Sequence, residues 1–115
     1  MADENRLDVQ VETQEQTIIV RPVGDIDLAC SPTLRSELMR VQGERFVRIV
    51  VDLSAVPYMD SSGVATLVEA MQIALRNGTR LVLCGLQDRV RSIFEIARLD
   101  SVFTIAGSQE DALTV

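Results

Sequence analysis

Near the middle of the chain, Val47-Arg48-Ile49-Val50-Val51-Asp52-Leu53 places Ile and Val on successive positions, so an extended strand here has no polar face. Such a strand needs cover on both sides, as central strands of parallel sheets do. A short loop then leads into a helical pattern that ends at Asn77-Gly78, and a second apolar run, Arg80-Leu81-Val82-Leu83-Cys84, follows at once. Strand, helix and strand in that order demand a parallel pair with a right-handed crossover. The class this predicts is α/β.

The rest of the chain repeats the alternation. Leu7, Val9 and Val11 alternate with polar residues, Glu12–Gln16 reads as a turn, and Thr17–Val23 reads as the second arm of an antiparallel hairpin. Ser31 before Pro32 predicts an N-cap and first helical position, with Leu34, Leu38 and Val41 striping a helix that stops at Gly43. In the next helix Val64, Leu67, Val68, Met71 and Leu75 form the predicted core stripe. Thr66, Glu69, Gln72, Ile73 and Arg76 form the outer face, and Gly78 suits a left-handed cap. Val90, Ile93, Phe94 and Ala97 stripe a helix after Gly85, Val102–Ile105 reads as a last strand, and Ser108 to Asp111 has capping-box spacing. A length of 115 residues fits one domain spanning 1–115.

Composition removes several functions. Seventeen acidic residues against eleven basic give a net charge of -6, and no basic cluster interleaves with the few aromatics, so nucleic-acid binding is not expected. No apolar run reaches the length of a membrane span, and the opening Met1–Arg6 lacks the pattern of a secretory leader, which predicts a cytoplasmic protein. Cys30 and Cys84 have no CxxC spacing and read as small core fillers in a reducing compartment. There is no histidine, hence no Ser-His or Cys-His nucleophile pair and no phosphohistidine relay. Neither a G-x-S-x-G elbow nor a phosphate-binding G-x-x-x-x-G-K-[ST] loop occurs. An enzyme is not expected, nor a cofactor of its own.

What remains is a loop-to-helix junction, Val56-Pro57-Tyr58-Met59-Asp60-Ser61-Ser62-Gly63. It puts hydroxyls at a helix N-terminus, where unpaired N–H groups and the macrodipole favour an anion such as a phosphate. Ser61 or Ser62 reads either as an N-cap or as a phosphoacceptor. Gly63 reads either as an opening for close approach of a partner or phosphate, or as a tolerated helical glycine. Met59 is an exposed contact or a buried joint residue, and Tyr58 an exposed contact. Asp25 and Asp27, two apart at a strand end, project to one side if the chain stays extended and otherwise belong to a solvated turn. Asp25, Asp27 and Asp60 are hard-cation ligands in type, but with no further ligand identifiable no metal site is predicted.

The junction resembles the phosphorylation segment of STAS-domain anti-sigma-factor antagonists, and Gly24-Asp25-Ile26-Asp27-Leu28-Ala29 followed by Ser31-Pro32-Thr33-Leu34-Arg35 resembles that family's entry to its first helix. The resemblance covers essentially the whole chain. It implies a mixed, mostly parallel sheet of four to five strands with helices packed on it and an N-terminal antiparallel hairpin. It implies that Ser61 is the phosphoacceptor, that the Asp25–Asp27 loop lies beside it, and that Asp25, Asp27, Asp60, Ser62 and Gly63 contribute to partner binding. The partners implied are an anti-sigma factor of the serine-kinase type, which carries the ATP and Mg²⁺, and a serine phosphatase. The unphosphorylated form would bind the anti-sigma factor and release the sigma factor. The alternative is a structural STAS module in a signalling assembly or transporter, without a phosphorylation switch.

Overall fold

The computed structural model describes residues 7–115, and the opening Met1–Arg6, read above for leader signals, lies outside the described residues. The described elements are β1 (Asp8–Gln14), β2 (Thr17–Val23), α1 (Ser31–Gln42), β3 (Arg48–Asp52), α2 (Ser61–Asn77), β4 (Arg80–Cys84), α3 (Asp88–Ile96), β5 (Thr104–Ala106) and α4 (Gln109–Ala112). The strands form one sheet in sequential order. β1 is antiparallel to β2, and the β2–β3, β3–β4 and β4–β5 pairs are parallel. The apolar run around Ile49 is thus the middle strand, as its lack of a wet face requires.

Sequential strand order with crossovers of one hand puts the three long helices on one face. Ile18, Val20, Ile49, Val51, Leu81 and Leu83 meet Leu34, Leu38 and Val41 of α1, Leu67, Ala70 and Ala74 of α2, and Val90 and Phe94 of α3. The opposite face carries a smaller cluster of Ile19, Val50, Val82, Cys84 and Ala106, covered by Ala112 of α4. α1 and α2 are joined by a buried bond from Gln42 Nε2 to the Ala70 carbonyl at 2.9 Å. Arg35 adds a two-pronged pair with Glu69 at 2.6 and 3.0 Å. Among the described residues no helix is long and apolar enough to cross a membrane.

Several sequence expectations shift for local reasons. β1 continues through the polar Glu12–Gln14, leaving a two-residue turn at Glu15-Gln16, because an edge strand exposes its side chains and polarity there does not signal a turn. Ser31 is not the cap of α1. That place belongs to Cys30, and the Asp27 carboxylate takes the Ala29 and Cys30 N–H groups, each at 3.1 Å. Leu75 is 71% exposed, because the buried face of α2 runs through Gly63, Leu67, Ala70 and Ala74. Ala97 lies exposed just past α3. β5 begins at Thr104, after Phe103 has turned inward to pack edge-on against Phe94, their ring centroids 5.5 Å apart. Of the two thiols only Cys84 is in the core, and Cys30 is half-buried. Gly78 takes the left-handed cap conformation (φ 71°) as expected, and Ser108 caps α4 by accepting the Asp111 N–H.

Candidate functional site

The β3–α2 loop and the β2–α1 loop are stitched together. Gly24 N–H donates to the Ala55 carbonyl at 3.0 Å, Ile26 N–H to Tyr58 at 3.0 Å, and Asp60 N–H returns to Ile26 at 3.1 Å. Ile26 and Met59 form an isolated parallel bridge with both side chains fully buried. This is a short extra rung beyond the sheet, so the serine segment is held by backbone as firmly as a strand. The Asp25–Asp27 loop therefore does lie beside Asp60-Ser61.

Asp60 is the cap of α2. Its Oδ1 accepts the Ser62 and Gly63 N–H groups at 2.9 and 3.3 Å and the Ser62 hydroxyl at 2.5 Å. Its Oδ2 accepts the Leu28 N–H at 3.1 Å. The Ser62 hydroxyl, more than any other group, holds the Asp60 carboxyl below its ordinary value. The N–H groups of Gly63, Ser62 and Leu28 add to this, and partial burial opposes it. The carboxylate is the anion that the helix N-terminus calls for.

That arrangement removes the capping role from both serines. Neither is the cap: Ser62 supports the capping carboxylate, and Ser61, the first residue of the helix, is exposed. Among the described residues none hydrogen-bonds the Ser61 hydroxyl. Its oxygen faces solvent from a rigid backbone. The expected vacancy for a phosphate at the helix amides is corrected too, since Asp60 already uses the Ser62 and Gly63 N–H groups.

Gly63 is needed, though not as an opening. It is buried, and a Cβ there would stand 2.5 Å from Met59 Cγ and 2.9 Å from Ile26 Cγ2. Its role is to let α2 close onto the Ile26–Met59 rung. Asp27 commits Oδ1 to the turn into α1, whereas Asp25 is exposed. Both flank the buried Ile26 and so face away from the core.

The outer face assigned to α2 from periodicity is mostly an inner one. Thr66 is buried and donates to the Ser62 carbonyl at 2.9 Å, Glu69 is paired with Arg35, and Ile73 lies in the seam with Leu38 and Met39 of α1. Only Gln72 and Arg76 of that set are exposed. The open surface beside Ser61 lies on the other flank. There Tyr58, Val64, Ala65, Ile93 and Ala97 line a shallow apolar depression of about 470 Å³ with Asp60 and Ser61 on its rim. Nearby hydrophobic side chains stand well out in solvent, Leu28 at 75% and Ile96 at 83%. The Arg89 guanidinium sits over the Tyr58 ring, 5.8 Å from its centre. Sequence reading missed Leu28 and Ile96. The available signal was a large apolar residue with no core stripe to belong to, Leu28 in the turn between β2 and α1 and Ile96 off the Val90–Phe94 stripe of α3.

A STAS domain model matches residues 8–112. The anti-sigma-B factor antagonist of Bacillus subtilis is 30% identical over 104 residues, covering 90% of this chain and 94% of that relative. An anti-sigma factor antagonist from Mycobacterium paratuberculosis has a similar structure, with a TM-score of 0.88 at 24% identity over 96% of this chain and 93% of that one. The Bacillus cell fate determinant SpoIIAA in its phosphorylated form shares the fold at a TM-score of 0.72 and 21% identity, covering 92% of this chain and 96% of that one. With its mixed sheet, its stitched serine loop and a family match over nearly all of its length, the chain belongs to the STAS domain family.

Proposed function

We propose that this protein is an anti-sigma-factor antagonist switched by phosphorylation of Ser61. The observation that carries the reading is the exposed, internally unpartnered Ser61 hydroxyl on a backbone fixed by Asp60, next to an apolar surface large enough to seat a partner. The names of the relatives supply the partner class.

In the unphosphorylated state the neutral Ser61 edge and the surface around Tyr58, Ala65, Ile93 and Ile96 dock on a serine-kinase-type anti-sigma factor, which then gives up its sigma factor. Asp25, Asp27 and Asp60 surround that surface with negative charge, and Ser62 and Gly63 act from beneath by fixing Asp60 and the helix start. The kinase holds ATP and Mg²⁺. Its γ-phosphoryl passes to Ser61 Oγ, ADP leaves, and a base of the kinase takes the hydroxyl proton. Asp60 is a poor base for that step because its carboxyl is held ionised by four donors. A serine phosphatase hydrolyses the ester and restores the binding form.

Phosphate adds about -1.5 to -2 charges beside Asp60. With the Ser62 and Gly63 amides already taken by Asp60, the new anion stays at the surface, where an interface fitted to a hydroxyl must desolvate it. Incubation with the cognate kinase and Mg-ATP, followed by peptide mapping, tests the assignment. One phosphate on Ser61 and none on Ser61→Ala is expected. Modification at Ser62 or Ser54 overturns the assignment to Ser61, and no modification by any cognate kinase supports the structural-module reading instead.

A further inference from the structure

We infer that the free edge of β1 pairs with β1 of a second copy, antiparallel about a two-fold axis through Val11, to give a weak dimer with one continuous sheet. The first step is which backbone groups point outward. The Gln16 carbonyl accepts the Val47 N–H at 2.9 Å, so the even-numbered positions of β2 turn their backbone groups toward β3. Thr17, Ile19, Arg21 and Val23 therefore turn theirs toward β1, where they meet Gln14, Glu12, Gln10 and Asp8. Pro22, which has no N–H to give, falls on the side away from β1, as this pattern requires. The N–H and C=O groups of Val9, Val11 and Thr13 then face the open edge, and β1 is the last strand of the sheet on that side.

This edge lacks the usual defences. It contains no lysine, no proline and no bulge, and its seven residues pair with β2 in unbroken register. What it does contain is a charge pattern that selects one partner register. With the axis at Val11, Val11 meets Val11 of the second copy and Val9 meets Thr13, exchanging about six backbone hydrogen bonds. On the opposite face Asp8 meets Gln14 and Glu12 meets Gln10, so every carboxylate faces an amide. Arg21 Nη1 already holds Gln10 Oε1 at 3.2 Å, which leaves the Gln10 NH₂ to reach across to Glu12 of the second copy. A slip of two residues one way sets Glu12 against Asp8 of the other chain, and a slip the other way sets Glu12 against Glu12. Like charges directly opposed are unfavourable, so one register survives. Val11, 39% exposed in the single chain, is covered only in the pair. This self-complementarity favours a second copy over an unrelated strand. The two Ser61 sites lie away from the contact, so the inference is independent of their role.

A seven-residue edge is a small interface, and association in the range of roughly 10 µM to 1 mM is expected. Because each copy carries a charge of -6, raising the salt tightens the pair. Sedimentation velocity from about 5 µM to 1 mM, with amide exchange on the same samples, tests this. The expected result is a monomer–dimer equilibrium with Val9, Val11 and Thr13 amides protected as concentration rises. Val11→Pro removes only an outward N–H and weakens association at least tenfold. Val11→Lys, which keeps that N–H, weakens it by like charge at the axis, so the test does not depend on one variant folding. Gln14→Lys, facing Asp8, tightens it several-fold and Gln14→Glu loosens it. Three results overturn the proposal: a wild-type chain that stays monomeric to 1 mM, association untouched by both Val11 variants, or β1 amides protected only by a different protein.

Discussion

Asp60 and Leu28 are 32 residues apart in sequence and joined by a 3.1 Å bond from the Leu28 N–H to Asp60 Oδ2. One carboxylate thus caps α2 with one oxygen and pins the β2–α1 loop with the other. The two loops on either side of Ser61 are one mechanical unit, and Asp60 is its fastener. Asp60→Asn keeps a capping oxygen but turns an NH₂ toward the Leu28 N–H. A loss of about 1–2 kcal/mol is expected from the broken loop bond, or about 4–6 °C in Tm per kcal/mol, with amide shifts concentrated at 26–29. Thermal melts and amide spectra check this.

The same carboxylate sets an acid limb. Its folded pKa lies below the ordinary 3.8, so the stability it contributes is fully present above the unfolded value and is lost as pH falls through the folded one. Urea unfolding from neutral pH to about pH 2.5 is expected to show a decline below about pH 4 that is shallower in Asp60→Asn. Equal slopes would remove Asp60 from the account.

The serines separate cleanly. Ser61→Ala touches no internal bond and is expected to shift stability by no more than about 0.5 kcal/mol. Ser62→Ala takes away the hydroxyl that most favours ionised Asp60, and should cost about 1 kcal/mol while raising the Asp60 pKa. Chemical denaturation of the two variants side by side is the check.

At Gly63 a methyl group gains helix propensity but collides with Met59 and Ile26. Overpacking of this kind costs about 1–3 kcal/mol against about 1 gained, so Gly63→Ala is expected to be net destabilised. Calorimetric melting measures it.

How far the fold was legible follows from what the side chains advertise. The β3 run declared a buried central strand because Ile49, Val50 and Val51 have no other use for consecutive apolar positions, and Asn77-Gly78 declared a helix end. The α2 face misled because periodicity weights large residues. Its closest packing is made by Gly63, Ala70 and Ala74, whose smallness lets the helix sit tight while Leu75 stays outside. At the candidate site the placement of the Asp25–Asp27 loop beside Asp60-Ser61 came from the family resemblance, since the residues by themselves read as a solvated turn. That Asp60 holds the helix end, and that the open flank is the one facing α3, depend on three-dimensional placement to which spacing is blind.

The thiols give an independent check on burial. Desolvation, with a smaller contribution from the Asp52 charge, pushes Cys84 up to about 12, and burial together with Asp27 raises Cys30. A thiol-specific disulfide reagent at pH 8 is expected to modify native protein slowly, Cys30 first, and Cys84 only on unfolding.

The central claim is that phosphate on Ser61 weakens partner binding through charge while the fold stays as it is. Isothermal titration of the unmodified and Ser61-phosphorylated protein into the cognate anti-sigma factor, with amide spectra of both forms, tests it most directly. The account predicts an affinity at least about tenfold lower for the phosphorylated form, or 1.4 kcal/mol or more, with shifts confined to the surface around 58–65 and the neighbouring 25–28 loop. Equal affinities for the two forms would contradict it.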